Sequence, residues 1–201
     1  MKVILKREFD DLLKKDWIFL EKKNDPLIFQ TLLWNLNWVD QNTKNNNLFI
    51  FTVYDNKTPV IIFPFCLIKK FNIKILRWVG YDISDYLGPL TNNDYKIENK
   101  DFKTIWDSIF NLIKNECDFI FLDKQNNERF LLNNPIINNL DCVKYDETYG
   151  TDLSRWADIK KKKGRALQKF RWAKKKLSEI GELKFIGEIK DNYERKNSIK
   201  K

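Results

Sequence analysis

The chain of 201 residues contains no histidine. This absence excludes His-based catalytic triads and His-ligated metal sites, and it leaves Asp, Glu, Tyr, Cys or water for any acid–base step. Its three cysteines, Cys66, Cys117 and Cys142, lie in apolar or strand-like surroundings without metal-ligand spacing. An odd, scattered set of this kind predicts buried free thiols in a reducing compartment, and we expect no metal site.

Long apolar runs are also absent from the sequence. No stretch approaches the ~18 apolar residues that a membrane span needs. The N-terminus, MKVILKREFDD, becomes acidic and polar too early for a signal peptide. We therefore expect a soluble cytoplasmic protein. Hydrophobic residues make up 43% of the chain, which is enough for a folded core in one domain or in one domain and part of a second.

Arginine is scarce, with seven residues, and three of them fall in one strongly basic stretch, residues 154–181. Between Arg155 and Lys176 there are eleven Lys or Arg and one acid, a net charge of +10, whereas the whole chain carries +9. Ser154 is a suitable N-cap, Gly181 is a suitable helix end, and the apolar spacing between them is helical. The pattern predicts one long amphipathic helix.

Three roles for this basic helix remain open. It can be a solvated face that packs by its apolar side on the preceding domain. It can form the wall of a cleft for an anionic substrate or cofactor, with Lys163 and Arg165 facing inward. It can also contact a nucleic acid or a membrane surface, although the rest of the chain adds no basic patch.

Hydrophobic periodicity divides the preceding part of the chain into helices and strands. The predicted strands are 2–6, 48–55, 58–70, 73–81, 118–124 and 142–150, and the predicted helices are 7–23, 27–39 and 102–115. Pro64 places its strand at an edge or at a bulge. The order predicts an α/β fold with a mixed sheet.

The organisation we predict is a domain over residues 1–150, a connecting helix over 151–181, and a second, truncated unit over 182–201. Residues 183–189 have a strand pattern and 191–201 a helix-like pattern, which is the order found at the N-terminus. We therefore expect an internal repeat whose second copy is cut short.

The loop over residues 81–90 contains more potentially reactive side chains than the other predicted loops. Asp85 and Tyr86 place a carboxylate beside a phenol, which is a plausible acid–base or amine-binding pair in a chain without histidine. The alternative is an ordinary turn, because Asp and the following Gly88-Pro89 are common turn residues.

Several short motifs resemble the GNAT acyltransferases, and in particular the first half of the FemAB-like and CelD/BioF2-like enzymes, which join two GNAT domains. The resemblance covers nearly the whole chain. It rests on Pro26, Phe29, Trp34 and Trp38; on Ile62-Phe63-Pro64; on Arg77-Trp78-Val79-Gly80 before Asp85-Tyr86-Leu87-Gly88-Pro89; and on Arg165, Arg171, Lys176, Leu177, Gly181 and Phe185.

The resemblance implies transfer of an acyl group, typically acetyl, from acyl-CoA to an amine of a sugar or cell-envelope precursor. It implies a GNAT-like mixed sheet flanked by helices, an acyl-CoA site mainly in the truncated second domain, and no metal. Asp85 and Tyr86 are the candidate catalytic residues. The candidate substrate-binding residues are Arg77, Trp78, Lys163 and Arg165. The alternative is a non-catalytic module that uses residues 154–181 to bind an anionic polymer or nucleic acid, although we do not expect a nucleic-acid partner.

One further motif, Lys161 to Ala166, nearly matches the Q/R-x-x-G-x-G/A loop with which acyl-CoA-binding folds hold a pyrophosphate. Such a loop must follow a strand and open a helix. Here the motif lies inside the predicted helix, and its first position is Lys. We therefore expect Gly164 to mark a local kink rather than a phosphate site.

Overall fold

The computed structural model describes residues 1–42, 47–125, 134–144, 154 and 164–182. The chain divides into two compact units, Met1–Lys144 and Tyr145–Lys201. The predicted boundaries at 151 and 182 stay predictions.

A mostly antiparallel sheet forms the centre of the first unit. Its strands are β1 (Lys2–Lys6), β2 (Leu48–Asp55), β3 (Thr58–Lys70), β4 (Ile73–Trp78), β5 (Leu90–Thr91) and β6 (Phe119–Ile120). The order across the sheet is β1-β2-β3-β4-β6, and β5 pairs with β3 beyond the end of β4. All pairs are antiparallel except β4–β6, which is parallel. The predicted mixed α/β fold is confirmed.

Helices cover both faces of this sheet. The helices of the first unit are α1 (Asp11–Lys23), α2 (Leu32–Asn42), α3 (Asn99–Ile113) and α4 (Pro135–Asn139), with a short 3₁₀ turn at Ile28–Gln30. Phe102, Ile105 and Ile109 of α3 bury one face of the sheet. Leu13, Trp17 and Leu20 of α1, with Trp38 of α2, bury the other. Each side therefore has its own apolar core, built from alternate residues of the strands.

The second helix differs from the prediction. It begins at Leu32 rather than at residue 27, because Thr31 caps it by accepting a hydrogen bond from the Trp34 backbone N–H at 3.3 Å. The buried residues of the helix are Asn35 and Trp38. Leu33, in contrast, is 72% exposed.

Pro64 lies in an interior strand and pairs with Ile50 of β2, while the register shift of that ladder falls at Val53/Tyr54, so the structure shows neither the predicted edge nor a bulge at Pro64. Its carbonyl accepts a hydrogen bond from the Val79 N–H at 2.8 Å, so its nitrogen also faces the β4 side of β3. The partner of β3 changes there, from β4 at Phe65 to β5 at Ile62. The missing N–H of proline therefore falls in the gap between two partner strands.

Two other strands are shorter than predicted. Strand β4 ends at Trp78, and β6 has only two paired residues. Residues 142–144 are not in a strand, and the rest of that predicted strand, like residues 183–189, lies outside the described residues.

In the second unit the structure describes one helix, α5 (Arg165–Ser178). The prediction of one helix over 154–181 is wrong at Gly164, which is the N-cap with an extended backbone (φ −78°, ψ 156°). Glycine is a poor interior helix residue but a good N-cap, which accounts for the start at this position. The prediction that the motif at 161–166 lies inside a helix is therefore wrong, because Gly164 and Arg165 open one. Residues 161–163 lie outside the described part.

Candidate functional site

The segment between β4 and β5, residues 79–89, carries Asp85 and Tyr86, and we call it the β4–β5 loop. It begins with a tight turn at Gly80, whose φ of +83° is readily adopted only by glycine. The Ser84 N–H donates to the Gly80 carbonyl at 2.9 Å. A Cβ at position 80 would stand 2.5 Å from Ser84 Oγ, so the turn has no room for a side chain.

The α2 side of the loop is held by two indole groups. Trp34 Nε1 donates to Ser84 Oγ at 3.1 Å, and Trp38 Nε1 donates to Asp82 Oδ1 at 2.8 Å. Both donors stand on one helix, four residues apart, so they lie on the same face of α2. Two tryptophans four residues apart on a helix are typical of burial in a groove. Their polar ends in fact fix the loop.

A third attachment on this side reaches the end of the loop. Gln30 Nε2 donates to the Pro89 carbonyl at 2.8 Å, and the Gln30 carbonyl accepts from Trp17 Nε1 at 2.9 Å. Gln30 is buried, so its amide satisfies a carbonyl that has little access to water. The short 3₁₀ turn before α2 thereby ties the core helix α1 to the loop.

Lys124 holds the opposite side of the loop. Its Nζ donates to the carbonyls of Tyr81 and Ser84, each at 2.9 Å, and its own carbonyl accepts from the Leu87 N–H at 2.9 Å. Its backbone has a φ of +59°, which is uncommon for a non-glycine residue. The sequence contained no signal for this role, because a lysine after a short strand is normally solvated.

Arg77 lies beside the loop at the carboxyl end of β4. Its Nη2 donates to both carboxylate oxygens of Asp123, at 2.9 and 3.0 Å. Its guanidinium lies 4.5 Å from the Tyr81 ring centroid and 4.8 Å from that of Phe121. A guanidinium stacked between two rings and paired with a carboxylate is fixed in position, so Arg77 supports the loop more than it extends toward a ligand.

Trp78, the neighbouring candidate, points to the other face of the sheet. It is fully buried and packs on Phe65, with ring centroids 4.6 Å apart. It has no surface to offer a substrate, and we leave it out of the proposed site.

Asp85 is the exposed acid at the centre of the loop. It makes no hydrogen bond or ion pair with any residue that the structure describes, whereas the nearby Asp82 is engaged by Trp38. Tyr86 beside it is half-buried, and its ring centroid lies 6.2 Å from that of Phe29. Phe29 in turn makes an edge contact with Trp34 at 5.0 Å. A free carboxylate thus borders a partly exposed aromatic surface formed by Phe29, Trp34 and Tyr86.

Electrostatics near the loop exclude a cysteine nucleophile. Burial raises the pKa of the Cys66 thiol to about 12, so it is protonated at neutral pH. Burial, and then the nearby Asp82 carboxylate, raise the pKa of the Tyr81 phenol. Among the described residues no group of three Cys, Asp or Glu side chains is placed to hold a metal ion.

Two candidates belong to the second unit. Lys163 lies outside the described residues, and Arg165 is the first residue of α5, where its side chain is not described. Their predicted place in a cleft with Arg77 stays a prediction.

Neither of two cavities in the first unit suits an acyl-CoA. One, of about 240 Å³, is lined by residues that include Trp38, Cys66, Lys69 and Tyr81. The other, of about 360 Å³, lies between α3 and β6. Each has a single lysine in its lining, whereas a pyrophosphate requires several donors or cations.

No helix in the described part of the chain is long and apolar enough to cross a membrane.

No known protein family profile matches this chain, and no curated protein matches it either. Three solved structures are similar in fold. A GNAT family acetyltransferase from Staphylococcus aureus is 13% identical, with 75% of this chain and 100% of the other covered and a TM-score of 0.45. The aminoglycoside N-acetyltransferase AAC(6')-Iy, in complex with CoA, is 8% identical, with 75% and 99% covered and a TM-score of 0.45. A possible acetyltransferase from Clostridium difficile is 11% identical, with 75% and 97% covered and a TM-score of 0.43.

Proposed function

We propose that this chain is an acyl-CoA-dependent N-acyltransferase of the GNAT type and that the β4–β5 loop forms the acceptor side of its site. The observation that carries this proposal is the exposure of the Asp85 carboxylate on a firmly held loop. Asp85 is an exposed carboxylate without a partner in the described structure, on a loop held by Trp34, Trp38, Gln30 and Lys124. Anchoring of this kind fixes a reactive group in position before the substrate binds.

The order of elements supports the same proposal. A strand, two helices and four antiparallel strands, β2 to β5, precede a helix and a strand parallel to β4. This order resembles that of the GNAT acyltransferase fold, in addition to the short motifs described above. The loop follows β4 at the carboxyl end of the β4–β6 pair, and the carboxyl ends of parallel strands are where open α/β sheets commonly bind ligands.

The proposed reaction is aminolysis of a thioester. The neutral amine nitrogen attacks the thioester carbon, the new C–N bond forms, and the C–S bond breaks to release the CoA thiolate. The amine loses one proton and the thiolate gains one. In the proposed site Asp85 binds the incoming ammonium group and accepts its proton, directly or through water, while Tyr86 is within the same loop to orient the acceptor.

For the acceptor we propose an amine on a sugar or another precursor of a cell-envelope polysaccharide. Phe29, Trp34 and Tyr86 give the loop an aromatic border, against which the apolar face of a sugar ring can pack. The Asp85 carboxylate then binds the amine of the sugar at the edge of this aromatic surface. We also propose a cytoplasmic location, which the three free thiols favour.

The acyl-CoA site is proposed to lie mainly in the truncated second domain, since neither cavity of the first unit suits the phosphates of CoA. Lys163 and Arg165 remain proposed substrate-binding residues.

A direct test is to incubate the chain, extended by the coding sequence that follows Lys201, with acetyl-CoA and a panel of amino sugars and to detect the amide product by mass spectrometry. We expect Asp85→Asn to lower turnover by about tenfold or more, because the amide cannot accept the proton. Asp107→Asn is the matched control. Asp107 is an exposed acid on α3 that only pairs with Lys103, so turnover should not change. Absence of an amide product with every amine would reject the proposal.

A further inference from the structure

The charged residues of helix α5 are all basic. Over Arg165–Ser178 it has six basic residues and no acid. The basic residues are Arg165, Lys169, Arg171, Lys174, Lys175 and Lys176. Among those with described side chains, Lys176 has an acidic partner, Glu179, at 3.0 Å. The helix therefore presents a concentrated positive charge to its surroundings.

The same helix exposes apolar side chains. Phe170, Ala173 and Leu177 follow each other at spacings of three and four residues, so they form one stripe along the helix. Phe170 is 65% exposed, Leu177 is 51% exposed, and Ile180 in the turn after the helix is 86% exposed. A row of large exposed apolar side chains is a mark of an interaction surface.

We propose that α5 binds the surface of an anionic lipid bilayer, lying in the plane of the interface. One ligand then accounts for both features, because the apolar stripe enters the boundary of the acyl chains while the flanking cations meet the lipid phosphates. Clusters of about four to eight basic residues on an amphipathic helix are typical of binding to acidic lipids.

The stripe favours a bilayer over a nucleic acid. A nucleic acid would use the basic residues and an exposed aromatic ring for stacking, and Trp172 is such a ring at 65% exposure. Trp172 stands two residues from Phe170, on the other side of the helix, beside Lys169 and Lys176. A nucleic acid bound there would leave Phe170 and Leu177 in water, whereas a bilayer buries them.

This inference rests on Phe170, Leu177 and the cations of α5, whereas the acyl-transfer proposal rests on Asp85, and Arg165 is the one residue that the two share. Loss of lipid binding leaves the enzyme proposal unaffected, and absence of turnover leaves the lipid proposal unaffected.

The experiment is co-flotation of the full chain with phosphatidylcholine vesicles and with vesicles that contain about one-third phosphatidylglycerol. We expect binding to the acidic vesicles to be at least about tenfold tighter and to weaken between about 0.1 M and about 0.5 M salt. Equal binding to both kinds of vesicle, or no binding to the acidic ones, would overturn the proposal.

Two variants separate the faces of the helix. The double variant Phe170→Ser/Leu177→Ser should weaken binding to acidic vesicles by about tenfold or more, with circular dichroism to confirm that the fold is kept. Trp172→Ala is the control and should bind as the parent does. The lipid proposal fails if Trp172→Ala loses vesicle binding while the stripe variant retains it. It also fails if single-stranded RNA displaces the parent protein from vesicles but does not displace Trp172→Ala. Either result would identify the surface as a nucleic-acid site.

Discussion

Replacing Gly80 by alanine tests whether the β4–β5 loop is as closely built as its contacts indicate. The backbone at Gly80 has a φ of +83°, where an L side chain is strained. In addition, the new Cβ would stand 2.5 Å from Ser84 Oγ and 3.4 Å from Trp34 Nε1. Ser84 cannot simply rotate away at no cost, because its Oγ accepts the Trp34 hydrogen bond at 3.1 Å.

The expected loss of stability has two parts. The left-handed backbone costs an alanine about 1–2 kcal/mol. Relief of the close contact, by moving Ser84 or the backbone, costs about 1–3 kcal/mol more. Gly80→Ala should therefore lower the free energy of unfolding by about 2–5 kcal/mol, and the melting temperature by roughly 5–15 °C.

The measurement is urea unfolding followed by tryptophan fluorescence, to which the first unit contributes five of the seven tryptophans. Gly181→Ala is the matched control, because no atom lies within 4 Å of its added Cβ and its φ is not positive. That change should alter stability by less than about 0.5 kcal/mol.

A double-mutant cycle with Ser84→Ala separates the two parts. Ser84→Ala alone removes the acceptor of the Trp34 bond and should cost about 1 kcal/mol. In that background Gly80→Ala should cost only the backbone strain, so the coupling energy is about 1–3 kcal/mol. Equal effects of Gly80→Ala and Gly181→Ala, or a coupling energy near zero, would refute the close contact between Gly80 and Ser84.

Two further predictions concern titratable groups outside the loop. The exposed Cys142 should react with iodoacetamide in the native protein about 100-fold or more faster than Cys66, because Cys66 is buried and its pKa is raised to about 12. Mass spectrometry of the alkylated peptides measures the two rates, and similar rates would contradict the prediction. Burial, opposed by the hydrogen bond from Tyr54, raises the pKa of Asp16, so its contribution to stability is present at low pH and lost as pH rises through the folded-state pKa. The stability of Asp16→Asn relative to the parent should therefore increase from about pH 3 to about pH 7 in urea unfolding, and a constant difference would exclude this account.

The fold class could be predicted from local signals, and so could the hairpin between β2 and β3. Alternating and continuous apolar runs mark these strands, and a polar pair, Asn56-Lys57, marks the turn. The start of α2 could not be placed, because Pro26 and Thr31 both offer plausible starts and the choice depends on tertiary contacts. Gln30, for example, is buried by its bond to the Pro89 carbonyl, far along the chain.

Pro64 shows a similar limit. A proline in a strand predicts an edge, because the ladder loses a donor. The structure instead places it where β3 exchanges one partner for another, so no donor is missed there. Such an exchange depends on how β4 ends at Trp78 and where β5 returns at Leu90, and neither is visible in the residues around Pro64.

The types of its residues, and not their contacts, make the candidate site recognisable in the sequence. Asp85 and Tyr86 were recognisable because a carboxylate and a phenol stood side by side. Lys124 and Asp123 were not, since their partners Ser84 and Arg77 lie about forty residues earlier in the chain. Trp34 and Trp38 carried the one available signal, their spacing of four, but this spacing predicts burial and says nothing of the polar partner of an indole N–H.

The charges around the loop indicate which half of a transfer reaction it can serve. Arg77 is neutralised by Asp123, and Lys124 donates to two backbone carbonyls. Asp82 accepts from Trp38, which leaves Asp85 as the carboxylate without a partner in the described structure. The loop therefore presents a negative charge to an incoming ligand, and this charge attracts an ammonium group and repels the phosphates of a CoA. If the chain transfers acyl groups, the loop must bind the amine, and the donor must approach from another direction.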